Sequence, residues 1–484
     1  MGDQERGSAP WLTPLSTCLF HALGHDLPIP SIIKSYQKVG SVLKASFRGG
    51  VHPAHHSKRP TRYQPIQDFV SDTVRIIMSM HIGAPSVPCV KKGDQVKVGQ
   101  VIGEPVGALG IPVHASVSGE VVSVDKISYL GAEPVQCITI SNDFTDTWVE
   151  LHPLGSVEHV DPALIVPAIK NAGICGMGGA SFPTHVKLSP REGQKCHVII
   201  ANGAECETHL TADHRLMLEN SIRIVDGLRA AMRAVDAEEG IIAIEDNKPD
   251  AIAAMQKACH GRENVRVQVL RTKYPQGGEK QLIQAVTGKQ VPSGKLPLDI
   301  GVVVLNVGTC AAIADAIIDG RPLIDRITTV TGAVAQPSNL RLRIGTITQD
   351  IIGECGGFLD SPGKICFGGA MTGLCLPDPT LPMAKSTNGI VVYTPEDAAS
   401  VEEESCIRCG KCVSVCPIGL NAFEIKLAAD KDDIEKARRL SVQDCILCGC
   451  CSFTCPARRW LTASFKMAKQ KIAAKDKAKG GSKK

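Results

Sequence analysis

Eight cysteines in the C-terminal part of the chain carry its most specific chemistry. Cys406, Cys409, Cys412 and Cys416 lie in CIRCGKCVSVCP, and Cys445, Cys448, Cys451 and Cys455 lie in CILCGCCSFTCP. Each run reads C-x2-C-x2-C-x3-C-P. Three closely spaced thiolates suit three corners of a [4Fe-4S] cube, and the fourth cysteine of such a run points away and ligates the other cluster. The expected sets are therefore Cys406, Cys409, Cys412 and Cys455 for one cluster, and Cys445, Cys448, Cys451 and Cys416 for the other. Pro417 and Pro456 end the ligand loops by fixing φ and removing a backbone donor. Structural zinc is the competing chemistry, but zinc ribbons use separated C-x2-C pairs rather than triplets followed by Cys-Pro. Cys450, the extra thiol of the second run, is read as a non-ligand. The chemistry is one-electron transfer, and this part of the sequence leaves donor and acceptor open.

These motifs form the two-cluster ferredoxin pattern and are expected to lie in a module over residues 400–460, with a helix over 420–440 joining the runs. The whole chain, 484 residues with 43% hydrophobic and 21% charged residues, has room for three or four domains. Twenty cysteines, eight of them in the metal motifs, point to a reducing cytoplasm rather than a disulfide scaffold. No signal peptide is expected. The most apolar stretch, residues 300–318, reads as a buried strand (Val302 to Leu305) followed by a helix, because Asn306, Gly308 and Asp315 interrupt it. From Arg458 onward ten Lys/Arg face one acid; this +9 leaves −5 on the rest of a chain whose total is +4. The 461–484 segment is thus a basic tail that suits an anionic lipid or an acidic partner, or else is simply solvated and disordered.

Upstream, residues 1–45 read as an extension broken by prolines, with a short helix possible over 31–44. Residues 46–145 are Val-rich short strands. KKGDQVKVGQ and HASVSGEVV resemble the biotinyl/lipoyl barrel-sandwich, but no lysine lies between Ile111 and Val121 to carry a swinging cofactor. Residues 150–320 alternate apolar strands with helical patterns such as 218–235, the mark of an α/β domain with a parallel sheet. Residues 325–376 return to short β-like pieces. The expected fold class is multidomain α/β plus β.

Within 150–320, GICGMGGASFPTHVKL has Gly173, Gly176, Gly178 and Gly179, which let the backbone approach a ligand such as a phosphate closely or simply make a tight strand-to-helix turn. ANGAECETHLTADHRLM and KYPQGGEKQLI follow. Together they resemble the flavin- and NADH-binding subunit of respiratory complex I. The resemblance implies that Gly176, Gly178, Gly179 and Lys187 line an FMN, that Asn202 hydrogen-bonds it, that Phe182 stacks on the nicotinamide nucleotide, and that Glu205 and Glu207 border that site. Asp213 and Arg215 match the family's last element. Ser181, where a glycine is common, and Thr208-His209, where a Pro-aromatic pair is common, depart from the pattern beside the nucleotide pocket.

The order of modules, opened by FRGGVHP and HIGAPSVPCVKKGDQVKVGQ, resembles the RnfC family of the Rnf ion-translocating oxidoreductase over about residues 46–460. That resemblance implies a barrel-sandwich hybrid domain, a complex-I-flavin-subunit-like α/β domain, a β-grasp-like soluble-ligand-binding domain (325–376) and a two-cluster ferredoxin-like helical module. It implies a peripheral subunit on the cytoplasmic face of a bacterial or archaeal membrane. There it would exchange electrons between NADH and ferredoxin through FMN and two [4Fe-4S] clusters, coupled to Na+ or H+ transport. The expected partners are the other membrane and peripheral subunits and ferredoxin; nucleic acid is not among them, and the chain has no transmembrane span of its own. Hydride transfer to a flavin needs no side-chain acid or base, so no catalytic pair is named. The competing readings are a hydrogenase or complex I diaphorase, a cobalamin reductase built from the same modules, and a non-catalytic electron-wire or docking subunit.

Overall fold

The Val/Ile runs of the central region pair as a four-stranded parallel sheet. In the computed structural model, which describes residues 45–131 and 133–481, its spatial order is Val265–Leu270, Glu239–Glu245, Val198–Asn202, Val302–Asn306. Helices cover both faces, so the strands are apolar throughout: Ile199, Ile200, Ile242, Ile244, Val303 and Leu305 are all buried. The chain builds outward in one direction from Val198–Asn202 and then returns to its other side. The order therefore reverses between Val198–Asn202 and Val302–Asn306, which makes a crevice beyond their carboxyl ends. The apolar run at 300–318 is a strand, Val302–Asn306, a helix, Val307–Ala314, and a π turn, Asp315–Asp319. Among the described residues no helix is long and apolar enough to cross a membrane.

Two small antiparallel sheets precede this domain. One contains Thr73–Ile77, Val135–Asn142, Gly119–Ile127 and Gln95–Val96; the other contains Val87–Pro88, Val101–Glu104 and Val113–His114. They form the barrel-sandwich. In a carrier the segment after Ile111 would be an exposed tip. Here Ile111 to Gly119 is buried, with the Ser116 hydroxyl donating to the Ile344 carbonyl at 2.6 Å, so this domain is a packing partner rather than a swinging arm. Its core (Val74, Ile76, Ile102, Ile138) is continuous with that of the next sheet (Val330, Leu340, Ile351, Ile390).

That next sheet has six strands. Asp325–Gly332, Ser338–Arg343, Lys364–Phe367 and Leu374–Cys375 are joined by Ile66–Phe69 at one edge and by Gly389–Tyr393 in the middle. The sheet thus recruits strands from both sides of the 325–376 stretch. The expectations for residues 1–44, including the helix over 31–44, lie outside the described residues.

The cysteine module is helical, but the helix expected over 420–440 is two: Ala422–Asp430 and Ile434–Arg439. Asp432 adopts φ 55°, and the Asp433 carboxylate accepts from the Lys436 amide at 2.9 Å, which stops one helix and caps the next. The basic tail is a larger departure from expectation. It forms one helix, Leu461–Gly481, whose Leu461, Phe465, Ala468 and Ile472 are buried in the module core with Ile425 and Val442. Its charges are partly used internally, in Lys471–Asp432 at 2.6 Å, Lys475–Glu435 at 2.7 Å and Asp476–Arg438 at 2.7 Å. Burying side chains such as Phe465 and Ile472 contributes roughly 1.5–3 kcal/mol each. Deleting residues 462–484 is therefore expected to lower the module's stability and the iron bound per chain while leaving the α/β domain folded. Iron analysis and a thermal melt of the truncated protein check this; unchanged values would show that the helix is dispensable.

Candidate functional site

Asn202 and Asn306 are register partners at the carboxyl ends of the two strands that flank the crevice. The glycine-rich loop crosses this point. It closes on itself through the Gly176 amide donating to the Phe182 carbonyl at 2.9 Å and the Thr184 amide to the Ile174 carbonyl at 3.1 Å. Gly178 lies against Asn306: a Cβ there would stand 2.7 Å from the Asn306 amide nitrogen. A Cβ at Gly179 would meet no protein atom within 4 Å. Gly173 is turned elsewhere, toward the Pro112 carbonyl and the buried Lys385 ammonium. Ser181 sits at φ 53°, a left-handed backbone that explains why glycine suits the position.

The other wall is built by the turn Tyr274–Pro275–Gln276–Gly277–Gly278. The Asn202 amide donates to the Gly277 carbonyl at 2.9 Å, and the Asn202 oxygen accepts from the Ala204 amide at 3.2 Å. Gln276 is fully buried, yet neither atom of its carboxamide has a hydrogen-bond partner. The Gln281 oxygen and the Thr184 hydroxyl are buried and unpartnered as well. Buried polar groups are nearly always satisfied. A cradle of glycines with orphaned buried amides beside it therefore fits a flat, heteroatom-rich ligand. Lys187 reaches the Glu279 carboxylate at 2.8 Å and the Val304 carbonyl at 3.0 Å. Phe182 is half-buried on the loop.

The acidic residues are more engaged than the sequence suggests. The Glu205 carboxylate accepts from the amides of Asp213 (2.8 Å) and His214 (3.2 Å), at the start of the helix Ala212–Glu219. Glu207 accepts from the Met371 amide and from the Thr372 hydroxyl, and burial pushes its carboxyl above the usual range. Arg215 pairs with Glu219 rather than with the crevice. His209 packs edge-on to Tyr393.

Asp213 accepts from the Asn306 amide at 2.7 Å, while the Asn306 oxygen holds the Gly308 amide at 2.8 Å. Burial, and then the Glu205 charge, push Asp213 up to about 7, against the pull of Arg326 and Lys248. A raised carboxyl pKa means that between about pH 4 and 7 the folded chain holds a proton that the unfolded chain gives up. Stability therefore falls as pH rises through that window, by up to ~1.4 kcal/mol per unit. Asp213→Asn cannot ionise and is expected to flatten this dependence. Thermal melts from pH 5 to 8 check it; an unchanged slope would assign the titration elsewhere.

The cysteine runs fold as two copies of one backbone pattern. Arg408 and Leu447 take φ of 56° and 55°, and Gly410 and Gly449 take 74° and 82°, each just before a short helix. The Arg408 and Leu447 amides each point at the preceding motif sulfur, Cys406 or Cys445, at 3.4 Å. The structure brings together Cys406, Cys409, Cys412 and Cys455 around a cavity of about 190 Å³. Cys416, Cys445, Cys448 and Cys451 line a second, narrower one. Each set crosses the two motifs. Among the described residues no three His, Cys, Asp or Glu side chains converge on a single-ion site. Two sets of four thiols, each around a cavity and each drawn from both motifs, are the donor sets that a pair of [4Fe-4S] cubes takes. Burial pushes Cys445 up to about 11 and Cys451 to about 12, so loading the second quartet releases protons from these two thiols. Lys469, on the last helix, lays its ammonium against the carbonyls of Cys445 and Gln443.

The two quartets differ in surroundings. Cys406 and Cys409 are exposed. The second quartet faces the rest of the protein: Tyr274 of the α/β domain donates from its hydroxyl to the Cys448 carbonyl at 2.8 Å, and the amide of Gly50, at the start of the barrel-sandwich segment, donates to the Val415 carbonyl at 2.8 Å. Val51, Tyr274 and Cys450 form a buried cluster there, with Cys206 and Met371 packed against it. Cys450 is buried at this seam, its thiol directed at the Tyr274 carbonyl, and it also lines the second cavity beside Cys448.

Four protein families match this chain in sequence. Residues 45–145 match the RnfC barrel sandwich hybrid domain, 169–315 the Nuo51 FMN-binding domain, 327–374 the SLBB domain and 398–456 a 4Fe-4S dicluster domain. The chain is 46% identical, over 437 residues, to the C subunit of the Na(+)-translocating ferredoxin:NAD(+) oxidoreductase complex of Acetobacterium woodii, an alignment covering 90% of this chain and 98% of that one. The chain belongs to the RnfC family. The C subunit of the proton-translocating counterpart from Clostridium ljungdahlii is 46% identical over 396 residues, covering 81% of this chain and 86% of that one. That of the ion-translocating oxidoreductase complex of Rhodobacter capsulatus is 39% identical over 455 residues, covering 93% and 87%.

Against this RnfC background, three residues at the site were not singled out from sequence as site residues. Asn306 had a signal, a lone amide closing an apolar strand before Gly308. Gln276 and Tyr274 lie in a turn whose importance depends on contacts distant in sequence.

Proposed function

We propose that this chain passes electrons between NADH, FMN and two [4Fe-4S] clusters. It would do so as the peripheral subunit of an ion-translocating ferredoxin:NAD oxidoreductase complex, docked on the cytoplasmic face of the membrane by its partner subunits. The names and coverage of its relatives support the complex, and the absence of a spanning helix among the described residues is consistent with attachment through partners. The bound FMN would take two electrons as a hydride and release them singly to clusters that carry one each. Gly176, Gly178 and Gly179 would admit it to the crevice, with Asn202, Asn306, Gln276 and Lys187 around it. Cys406, Cys409, Cys412 and Cys455 would hold one cluster, and Cys445, Cys448, Cys451 and Cys416 the other.

One observation carries the order of transfer. The turn from Tyr274 to Gly278 touches the crevice through Gly277 and Asn202, and touches the Cys448 backbone through the Tyr274 hydroxyl. The inner quartet is therefore the one beside the flavin, and the exposed quartet is the exit toward a partner.

The second reading, a wire that has lost its nucleotide contact, draws on the engagement of both Glu205 and Glu207 within the protein. Anaerobic titration decides between them. NADH should bleach the flavin and support ferricyanide reduction by the isolated chain. If dithionite reduces the flavin and NADH does not, the wire is the better account.

A further inference from the structure

Outside the crevice and both quartets, the thiols of Cys366 and Cys375 stand 2.8 Å apart. They are register partners on antiparallel strands, Lys364–Phe367 and Leu374–Cys375. Directly opposed residues of such a pair have Cα atoms about 4.5–5.5 Å apart, inside the range a disulfide bridges without backbone movement. Cys366 is buried and Cys375 is exposed, so one sulfur is open to a reagent and the other waits behind it.

The hairpin that these cysteines close is seated on the seam. Its tip donates from the Met371 amide and the Thr372 hydroxyl to the Glu207 carboxylate. The Met371 carbonyl lies 3.1 Å from where a Cβ on Gly449 would stand, inside the second cysteine motif. Met371 also packs with Val51, Tyr274 and Cys450.

The geometry points to a redox-modification site: Cys366 and Cys375 form a reversible disulfide by exchange with a small-molecule disulfide, locking the hairpin over the seam between crevice and inner quartet. Burial pushes the Cys366 thiol up to about 12, which leaves Cys375 as the attacking group. The Cys375 thiolate attacks one sulfur of RS–SR, forming a mixed disulfide and releasing RS−. Cys366 then gives up its proton and attacks the Cys375 sulfur, and the second RS− leaves. Two protein thiols are oxidised, one small disulfide is reduced, and the two protons end on two RSH. Intracellular disulfides of this kind are typically transient and redox-sensing.

The test uses the full-length protein with flavin and iron in place, held anaerobically in glutathione buffers from fully reduced to fully oxidised. After acid quenching and alkylation, trypsin releases residues 365–385 as one peptide containing both cysteines, between Lys364 and Lys385. The expected result is a peptide lighter by two hydrogens and closed to alkylation in oxidised glutathione, reopening with dithiothreitol. Amide exchange in 368–373 should slow several-fold in the oxidised form. Cys366→Ser should stop at a glutathione adduct on Cys375. Accumulation of that adduct in the wild type, or two alkylated thiols at every poise, overturns the site. A disulfide that leaves exchange in 368–373 unchanged overturns the lock.

Discussion

Cys416→Ser is expected to remove the cluster held by the other motif. Cys416 shares its cavity with Cys445, Cys448 and Cys451, although in sequence it follows Cys412. Its loss should take roughly half of the iron, and the spectroscopic signature that disappears should be the inner one. NADH should still bleach the flavin, because the crevice is untouched, whereas electron delivery to a partner-side acceptor should be largely lost on the proposed order, in which the inner quartet links the crevice to the exposed one. Cys455→Ser gives the contrasting result: the inner centre stays reducible through the flavin and the exposed centre is lost. Iron counts with EPR at graded NADH additions separate the two. If Cys416→Ser eliminates the centre of Cys406, Cys409 and Cys412 instead, the crossed sets are wrong. If the Cys455→Ser protein can no longer pass electrons from flavin to its remaining centre, the order of the quartets is reversed.

The sequence was most readable where chemistry is set by neighbours along the chain. Thiolate spacing in each run is a matter of a dozen residues, and the glycine loop likewise lies in one short segment. What was not readable depends on partners far apart in sequence. Glu205 looks like a free acid at a strand end, but it caps a helix that begins seven residues later. Glu207 is held by a hairpin more than 160 residues away. Nothing near Tyr274 says that its hydroxyl will meet Cys448. The last helix carried a legible signal that its lysines obscured: Leu461, Phe465, Ala468 and Ile472 recur at helical spacing and face the module core. The break at Asp432 was also local, since a left-handed Asp followed by a capping Asp ends a helix wherever it falls.

Gly179→Val is expected to abolish flavin binding without cost to the protein. No protein atom lies within 4 Å of a Cβ built there, so the protein itself accommodates the added side chain, and on the proposed reading that open side is where the flavin would sit. Acid-released FMN should fall to a small fraction of one per chain, with iron content and melting temperature unchanged. Gly178→Val differs in an informative way. Its Cβ would stand 2.7 Å from the Asn306 amide nitrogen and 3.0 Å from the Asn306 Cβ. Asn306 cannot swing aside without releasing both Asp213 and the Gly308 amide. Overpacking of this kind costs about 1–3 kcal/mol, so this variant should lose flavin and stability together. The same loop thus contributes one glycine with an open side, Gly179, and, beside it, one that faces the strand-end amide of Asn306. Wild-type FMN in both variants would sink the crevice as the flavin site, and loss of stability in Gly179→Val would show that its open side is filled by protein after all.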